Sequence, residues 1–402
     1  MKKLPEQGFI FWPVGTGDSS TICVNDEVVM QIDLHNLTVA EDDDDPRTPI
    51  VERLVELLPQ KDGEPYLSVF VLTHPDLDHC KGFKDLRSKV TIGEIWFAPR
   101  IFRENTSDLC DDAVDFKQEA KRRVKVTREA DGEVGAGDRV RVIGYSELLE
   151  EDDFEGFPDE RLSTPGDTIS ELDGTDHPSE FEAFVHSPFK DDDTASERNE
   201  TSVGLRIELY NGEDVGQGIF LGDLSYPTLR RVWDETAAHD NEDKLDCDVF
   251  LSPHQCSKSV MYEKNQDGNS ELKQDILDDI EKSLNDGGRI IASSDPVPTN
   301  NKKGDNPPHA KAKSRYEEIV DTDHFLCTGE HPNEDDPKPI VFEFTEDGFS
   351  HTEPEDDSDN DNKDEESKSK SSRSGASLAT AIDTAQGSSA TPSTAVGYGR
   401  PE

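Results

Sequence analysis

The sequence predicts an α/β protein, and three observations carry that prediction. Short apolar runs of strand character recur along the chain, amphipathic segments of helical spacing separate several of them, and some of the runs stop at a residue able to ligate a metal. The first run, residues 9–14, is strand-like and passes into the turn-rich Gly15-Thr16-Gly17-Asp18-Ser19-Ser20. Residues 21–24 and 28–34 read as a hairpin around Asn25-Asp26, and 41–46 as an acidic loop. Thr48 has the place of an N-cap, Pro49 that of the first helical residue, and Ile50, Val51, Leu54, Val55, Leu57 and Leu58 form the stripe of a helix. Val69-Phe70-Val71-Leu72 predicts a strand, 81–88 a short helix and 92–98 a further strand. Residues 117–128 concentrate Lys117, Lys121, Arg122, Arg123, Lys125 and Arg128 ahead of a strand at 140–143. The stretch 147–180, acidic and holding Gly and Pro, predicts an exposed insertion. Strands follow at 181–185, 202–209, 218–221 and 248–251, then a helix at 272–284, a strand at 289–292, a helix at 310–320 and a closing strand at 340–344.

From about residue 352 the composition changes to Asp, Glu, Ser, Asn and Lys, then to Ser, Ala, Thr and Gly. Neither part buries enough apolar surface to offset its ordering entropy, so the expectation is one folded domain over 1–351 and a disordered tail over 352–402. Low hydrophobic content (32%) with a formal charge of −48 would ordinarily signal disorder throughout. Regular strands up to Phe344 argue instead for a folded cytoplasmic protein of a salt-loving archaeon. In molar salt the Debye length falls to ~3 Å, which screens the repulsion among 90 Asp and Glu against 42 Lys and Arg. No stretch approaches the ~20 apolar residues of a membrane span, and the start Met1-Lys2-Lys3-Leu4-Pro5 lacks a signal peptide's apolar core. Six scattered cysteines without a CxxC pair read as reduced thiols.

The chemistry concentrates in Thr73-His74-Pro75-Asp76-Leu77-Asp78-His79, directly after an apolar strand. Two imidazoles and two carboxylates at one sheet edge would cost several kcal/mol per ion to bury uncompensated, and a divalent cation is the usual compensation. The bland alternative is a solvated acidic turn. Later strands end similarly: Ile219-Phe220-Leu221-Gly222-Asp223 presents a carboxylate, and Phe250-Leu251-Ser252-Pro253-His254-Gln255-Cys256-Ser257 a histidine.

With these motifs in order, the chain resembles the metallo-β-lactamase superfamily over residues 8–344, and within it the soluble hydrolase domain of bacterial competence DNA-uptake channels. His74-Pro75-Asp76-Leu77-Asp78-His79 is similar to the HxHxDH signature with Asp76 at its second His. Val14-Gly15-Thr16-Gly17-Asp18-Ser19-Ser20, Gln31-Ile32-Asp33, Leu221-Gly222-Asp223 and Ser252-Pro253-His254-Gln255-Cys256-Ser257 resemble the other conserved elements, with Gln255 and Cys256 as departures. Asn199-Glu200-Thr201-Ser202 is similar to the subgroup's Asn-x-x-Ser. The resemblance implies a four-layer αββα sandwich and two divalent ions, zinc or manganese. It places one ion on His74, Asp76 and Asn199 and the second on Asp78, His79 and His254, with Asp223 bridging. Asp78, His79 and Asp223 would then carry the catalysis of a hydrolase that uses a metal-bridging hydroxide. Asp33 is a candidate to orient a metal ligand, and His309 and Lys311 are candidates to touch substrate.

Two features favour a phosphodiester, DNA or RNA included, as substrate: the resemblance, and the basic clusters 117–128 and Lys302, Lys303, Lys311, Lys313 and Arg315 in so acidic a chain. Carboxyl-ester, lactone or thioester hydrolysis, or a catalytically silent binding protein on the same fold, are the alternatives.

Overall fold

Extended chain sends alternate side chains to opposite faces, and here both faces are covered. From the strand Gly8–Phe11, Phe9 and Phe11 enter one buried cluster while Ile10, with Trp12 just beyond, enters another. Strand Glu64–Leu72 divides likewise, Val69 and Val71 to one side and Leu67, Phe70 and Leu72 to the other. A strand buried on both faces reads as a continuous apolar run, which is why residues 69–72 are conspicuous in the sequence. The structure, a computed structural model, describes residues 1–352 except 43, 196, 302–305 and 347. Of the tail expected over 352–402, Thr352 ends the strand Gly348–Thr352 and the rest lies outside the described residues.

Among the described residues the strands form two large mixed sheets. The first, of ten strands, runs in the order Gly348–Thr352, Ile340–Thr345, Gly8–Phe11, Ser20–Cys23, Val29–Ile32, Glu64–Leu72, Thr91–Phe97, Arg139–Ile143, Leu162–Ser163, with Gln60–Lys61 pairing on Glu64–Leu72. It is antiparallel up to Val29–Ile32 and parallel along the main order after it. The second, of seven strands, runs Thr168–Ile169, Phe181–Ser187, Gly204–Asn211, Asp214–Phe220, Cys247–Leu251, Leu284–Ala292, Phe325–Cys327. It too changes from antiparallel to parallel, at the pairing of Asp214–Phe220 with Cys247–Leu251.

The sheets pack face to face through Phe9, Phe11, Val69 and Val71 of the first and Leu205, Ile207, Phe220 and Val249 of the second. Phe9 meets Phe220 edge to face at 5.7 Å between ring centres. Truncating such a ring to Ala costs ~3–5 kcal/mol. Helices Ile50–Leu57, Phe83–Lys89 and Asp111–Glu129 cover the outer face of the first sheet, and Tyr226–Ala238, Gln274–Ser283 and Ala310–Ile319 that of the second. The layers are helix, sheet, sheet, helix: the four-layer αββα sandwich.

Strands also run longer than expected at Glu64–Leu72 and Asp214–Phe220, and Gly348–Thr352 follows the strand expected to close the sheet; two further differences have a visible reason. The strand expected at 289–292 already begins at Leu284, because its first half is the exposed, polar Asn285-Asp286-Gly287. The segment 147–180, expected as exposed, buries Leu148, Phe154, Phe157, Ile169 and Leu172, and contributes an edge strand to each sheet. Its acidic residues surround those few apolar anchors and mask them in the composition.

Candidate metal centre

Parallel strands bring their carboxyl ends to a common edge, where loops leave and ligands collect. In the first sheet Ile32 lies opposite Val71, so Asp33 and Thr73-His74 depart side by side. In the second, Ile219 lies opposite Phe250, and the two strands deliver Asp223 and His254. Gly222 makes the turn into Asp223 with φ +53°, and a Cβ there would stand 2.8 Å from the Ser202 side chain. Only glycine fits that approach. His79 comes from the short helix Leu77–Cys80, for which Asp76 is the preceding residue.

The hydrogen bonds around His74 settle its tautomer. Its Nδ1 lies 3.2 Å from both Thr73 Oγ1 and Ser202 Oγ. Thr73 Oγ1 spends its own proton on Asp33 Oδ2 (2.5 Å), and Ser202 Oγ donates to the Asn199 carbonyl (2.7 Å). Both hydroxyls therefore accept, Nδ1 carries the hydrogen, and Nε2 presents a lone pair. That Nε2 is buried and without a hydrogen-bond partner, 3.6 Å from Asp76 Oδ2 and 3.7 Å from Asp223 Oδ2. His79 is oriented in the same way, Nδ1 donating to Asp33 Oδ2 at 2.7 Å, with Nε2 3.1 Å from Asp223 Oδ1. Asp33 also accepts from the Thr73 amide (2.8 Å).

Asp223 lies at the middle. Its Oδ2 faces His74, His254 (3.7 Å) and the Asn199 amide (3.3 Å), and its Oδ1 faces His79 and the Gln255 amide nitrogen (2.8 Å). The resemblance grouped His254 with Asp78 and His79; here it looks at the carboxylate oxygen that His74 shares. Asp78 Oδ2 is 3.9 Å from His79 Nε2. Asp76 also pairs with Arg198, which reaches the Asp108 carbonyl at 3.3 Å and Glu104 at 3.6 Å as well.

The charges are strongly coupled. Burial alone would raise Asp223, but His79, His254 and His74 hold its carboxyl well below the usual range. Burial likewise works against Asp76, and His74 and Arg198 outweigh it. Burial dominates at Asp18, pushing it well up, with Asp223, Asp33 and Asp78 adding to the rise. For His79 burial favours the neutral ring and Asp223, Asp33 and Asp78 push its pKa up, while the Gln255 amide nitrogen, 2.9 Å from Nε2 and donating to Asp223 Oδ1, is the partner of a neutral ring.

A divalent cation fits this donor set. His74, His79 and Asp223 each offer a buried ligand atom within 4.8 Å of the others, and the lone pair of His74 Nε2 has no other use. Of the remaining expected residues, His309 is buried behind the His254 loop, its amide donating to the Cys256 carbonyl (3.1 Å) and its Nδ1 accepting from the Lys258 amide (3.3 Å). Lys311 contacts Asn301 through its amide and stacks its ammonium over Tyr262. Neither joins the cluster through these contacts. Sequence reasoning passed over Ser202 and Arg198, and it read Gln255 only as a departure. The signal for Ser202 was present, in the Asn-x-x-Ser motif.

The described residues of the basic clusters have neighbours of their own. Arg122 and Arg123 pair with Glu119, Lys121 with Asp153, Lys125 with Glu129, and Lys117 and Arg128 donate to the carbonyls of Glu104 and Glu155. Lys313 pairs with Glu330 and Arg315 with Glu318, while Lys302 and Lys303 lie outside the described residues.

No known protein-family profile matches the chain, and no curated protein matches it either. Similar solved structures include a diphosphatase from the PhnP family (10% identity, 69% of this chain and 74% of that one, TM-score 0.30). Unliganded yeast PDE1 is another (10%, 80% and 96%, 0.36). A class B3 di-zinc metallo-β-lactamase, LRA-12 from an Alaskan soil metagenome, is a third (12%, 69% and 88%, 0.28). The activities in those names belong to those proteins.

Proposed function

We propose that this chain is a metal-dependent hydrolase that cleaves phosphodiester bonds. The observation that carries the metal reading is the buried, partnerless Nε2 of His74 between two carboxylates, with its tautomer fixed by Thr73 and Ser202. His74, Asp76, Asp223 and His254, with Asn199 beside them, would hold zinc or manganese, and Asp78 and His79 form the adjoining half. A bound cation of this kind supplies a nucleophilic hydroxide near neutral pH and stabilises charge on the attacked oxygen. The chain's own part is orientation: Asp33 and the two hydroxyls fix both imidazoles, and Gly222 lets Asp223 reach between them. His254, with its side chain 27% exposed, is the most open of the three histidines and marks the side from which substrate enters.

The phosphodiester preference rests on the order of the motifs. With the basic residues of 117–128, Lys313 and Arg315 paired to acids and carbonyls, a substrate whose charge is met by the centre itself fits better than one held along a basic track, so a small diester precedes DNA or RNA as the substrate to test. Free thiols in all six cysteines suit a reducing cytoplasm, and the charge of −48 suits a salt-rich one. No helix among the described residues is long and apolar enough to cross a membrane.

The test is hydrolysis of a simple phosphate diester in about molar KCl with manganese or zinc, wild type beside Asp223→Ala, each checked for fold. Turnover lost in the variant supports the proposal. Turnover of esters, lactones or thioesters alone moves the substrate to the acyl class. A second reading, a silent binding protein, is favoured by one observation, the Gln255 amide against His79; metal bound without turnover of either class would establish it.

A further inference from the structure

Gln255 occupies a position that the hydrolase reading leaves to a cation. It is 1% exposed, and its amide nitrogen lies 2.9 Å from His79 Nε2 and 2.8 Å from Asp223 Oδ1. His79 Nδ1 already donates to Asp33, so the neutral ring has its single lone pair at Nε2. An amide has two N–H groups, and here they point at that lone pair and at the carboxylate oxygen beside it. These are the two acceptors a cation would bridge. Their separation of 3.1 Å is close to the ~3.4 Å expected of two ligands on one tetrahedral zinc. One lone pair cannot serve both an N–H donor and a metal.

In the other half the Asn199 amide reaches Asp223 Oδ2 at 3.3 Å, but none reaches His74 Nε2, which is without a partner. Nor is the amide's place accidental in its backbone. His254, Gln255 and Cys256 all have left-handed conformations (φ 54°, 48° and 64°), which cost non-glycine residues of order 1–3 kcal/mol each and persist only where the surroundings hold them. This run turns His254 toward Asp223 Oδ2 and Gln255 toward Oδ1.

We infer that Gln255 caps the His79 half of the centre, so that the folded chain takes up one divalent cation, on the His74 half, and takes a second only when the amide is removed. The inference rests on the metal reading proposed above and adds its stoichiometry. The amide acts as a resident surrogate for the second cation: it satisfies His79 and Asp223 and holds the two strands' loops together without metal.

The test is metal content of the full chain after equilibrium dialysis against zinc in about molar KCl, for wild type, Gln255→Ala and Gln255→Glu. Alanine removes both donors. Glutamate keeps the reach and replaces the donors by a ligand oxygen, which guards against a variant that fails to fold for lack of volume. About one equivalent in wild type and about two in the folded variants is the expected result. Two equivalents in wild type, or one in wild type and in both variants, overturns the inference while leaving a metal-dependent hydrolase standing. No bound zinc in any of the three overturns the metal reading and this inference with it.

Discussion

Asp33→Asn separates the orientation of the metal ligands from the ligands themselves. Asp33 is 1% exposed and accepts three hydrogen bonds, from His79 Nδ1 (2.7 Å), Thr73 Oγ1 (2.5 Å) and the Thr73 amide (2.8 Å). Asparagine tolerates the left-handed φ of 56° at this position, so the backbone is not the target. What changes is one acceptor oxygen into a donor. If the new NH₂ faces Oδ2's old partners, the Thr73 hydroxyl must rotate and His79 must move its proton to Nε2. Thr73 then donates to His74 Nδ1, and that ring too loses the lone pair at Nε2. If the NH₂ faces the Thr73 amide instead, two buried donors oppose each other, at ~1–3 kcal/mol. Either way metal affinity falls by about 10–100-fold, or ~1.4–2.7 kcal/mol. Competition for zinc against a chromophoric chelator reads this directly, with a thermal melt in the same buffer to show that the variant folds. Asp33→Ala, which removes the acceptor without opposing a donor, should lose less. Wild-type zinc affinity in folded Asp33→Asn would refute the claim that Asp33 sets both tautomers.

Other consequences follow from groups away from the cation. Cys110 is half-buried with its thiol lowered to about 6, chiefly by the Cys80 thiol 3.5 Å away, whereas burial raises Cys23, Cys247, Cys256 and Cys327 and the Cys110 contact raises Cys80. One equivalent of iodoacetamide should therefore react fast at pH 7, at Cys110 by peptide mapping; labelling spread evenly over the six would contradict this. His186 is buried, donates from Nε2 to the Lys244 carbonyl at 3.0 Å, and burial lowers it from 6.5 to about 3. The unfolded chain protonates first, so its contribution is complete above pH 6.5 and lost as pH falls toward 3, at roughly 5 kcal/mol in full. His186→Gln should flatten the pH dependence of the urea midpoint between pH 6 and 4, and an unchanged slope would show that His186 does not carry it. Finally, with a formal charge of −48, the melting midpoint should rise steadily from 0.1 to 2 M KCl; a flat profile would remove the case for a salt-adapted protein.

How much of this could be read from the sequence follows from what each residue's neighbours are. The strands that meet between the sheets were legible because both their faces are buried, as at Val69-Phe70-Val71-Leu72. The first half of Leu284–Ala292 was not, since Asn285, Asp286 and Gly287 hold their place by pairing rather than by burial. Within the site, motif order identified the residues that the strand ends bring together, His74, His79, Asp223 and His254. It could not show which Asp223 oxygen each would face. The basic run 117–128 suggested a phosphate surface because its partners Glu119, Asp138 and Asp153 come from one helical turn away or from later loops, and linear charge counting does not pair them.

The asymmetry of the centre is the point at which sequence spacing alone is least informative. Asp33 reaches His79 directly and His74 through the Thr73 hydroxyl, so one carboxylate orients both imidazoles and leaves each with its lone pair at Nε2. The two halves are thus prepared alike. They differ because Gln255 answers one lone pair and nothing answers the other. That difference depends on the left-handed run at 254–256, held from one side by the His254 amide on the Gly222 carbonyl (3.0 Å) and from the other by the His309 amide on the Cys256 carbonyl (3.1 Å). A glycine at 256 would relieve the strain of that φ and loosen the amide's hold on His79. The loop that brings in His254 thus also carries the amide that reaches His79, and His309, buried beneath it, braces that loop through its own amide on the Cys256 carbonyl.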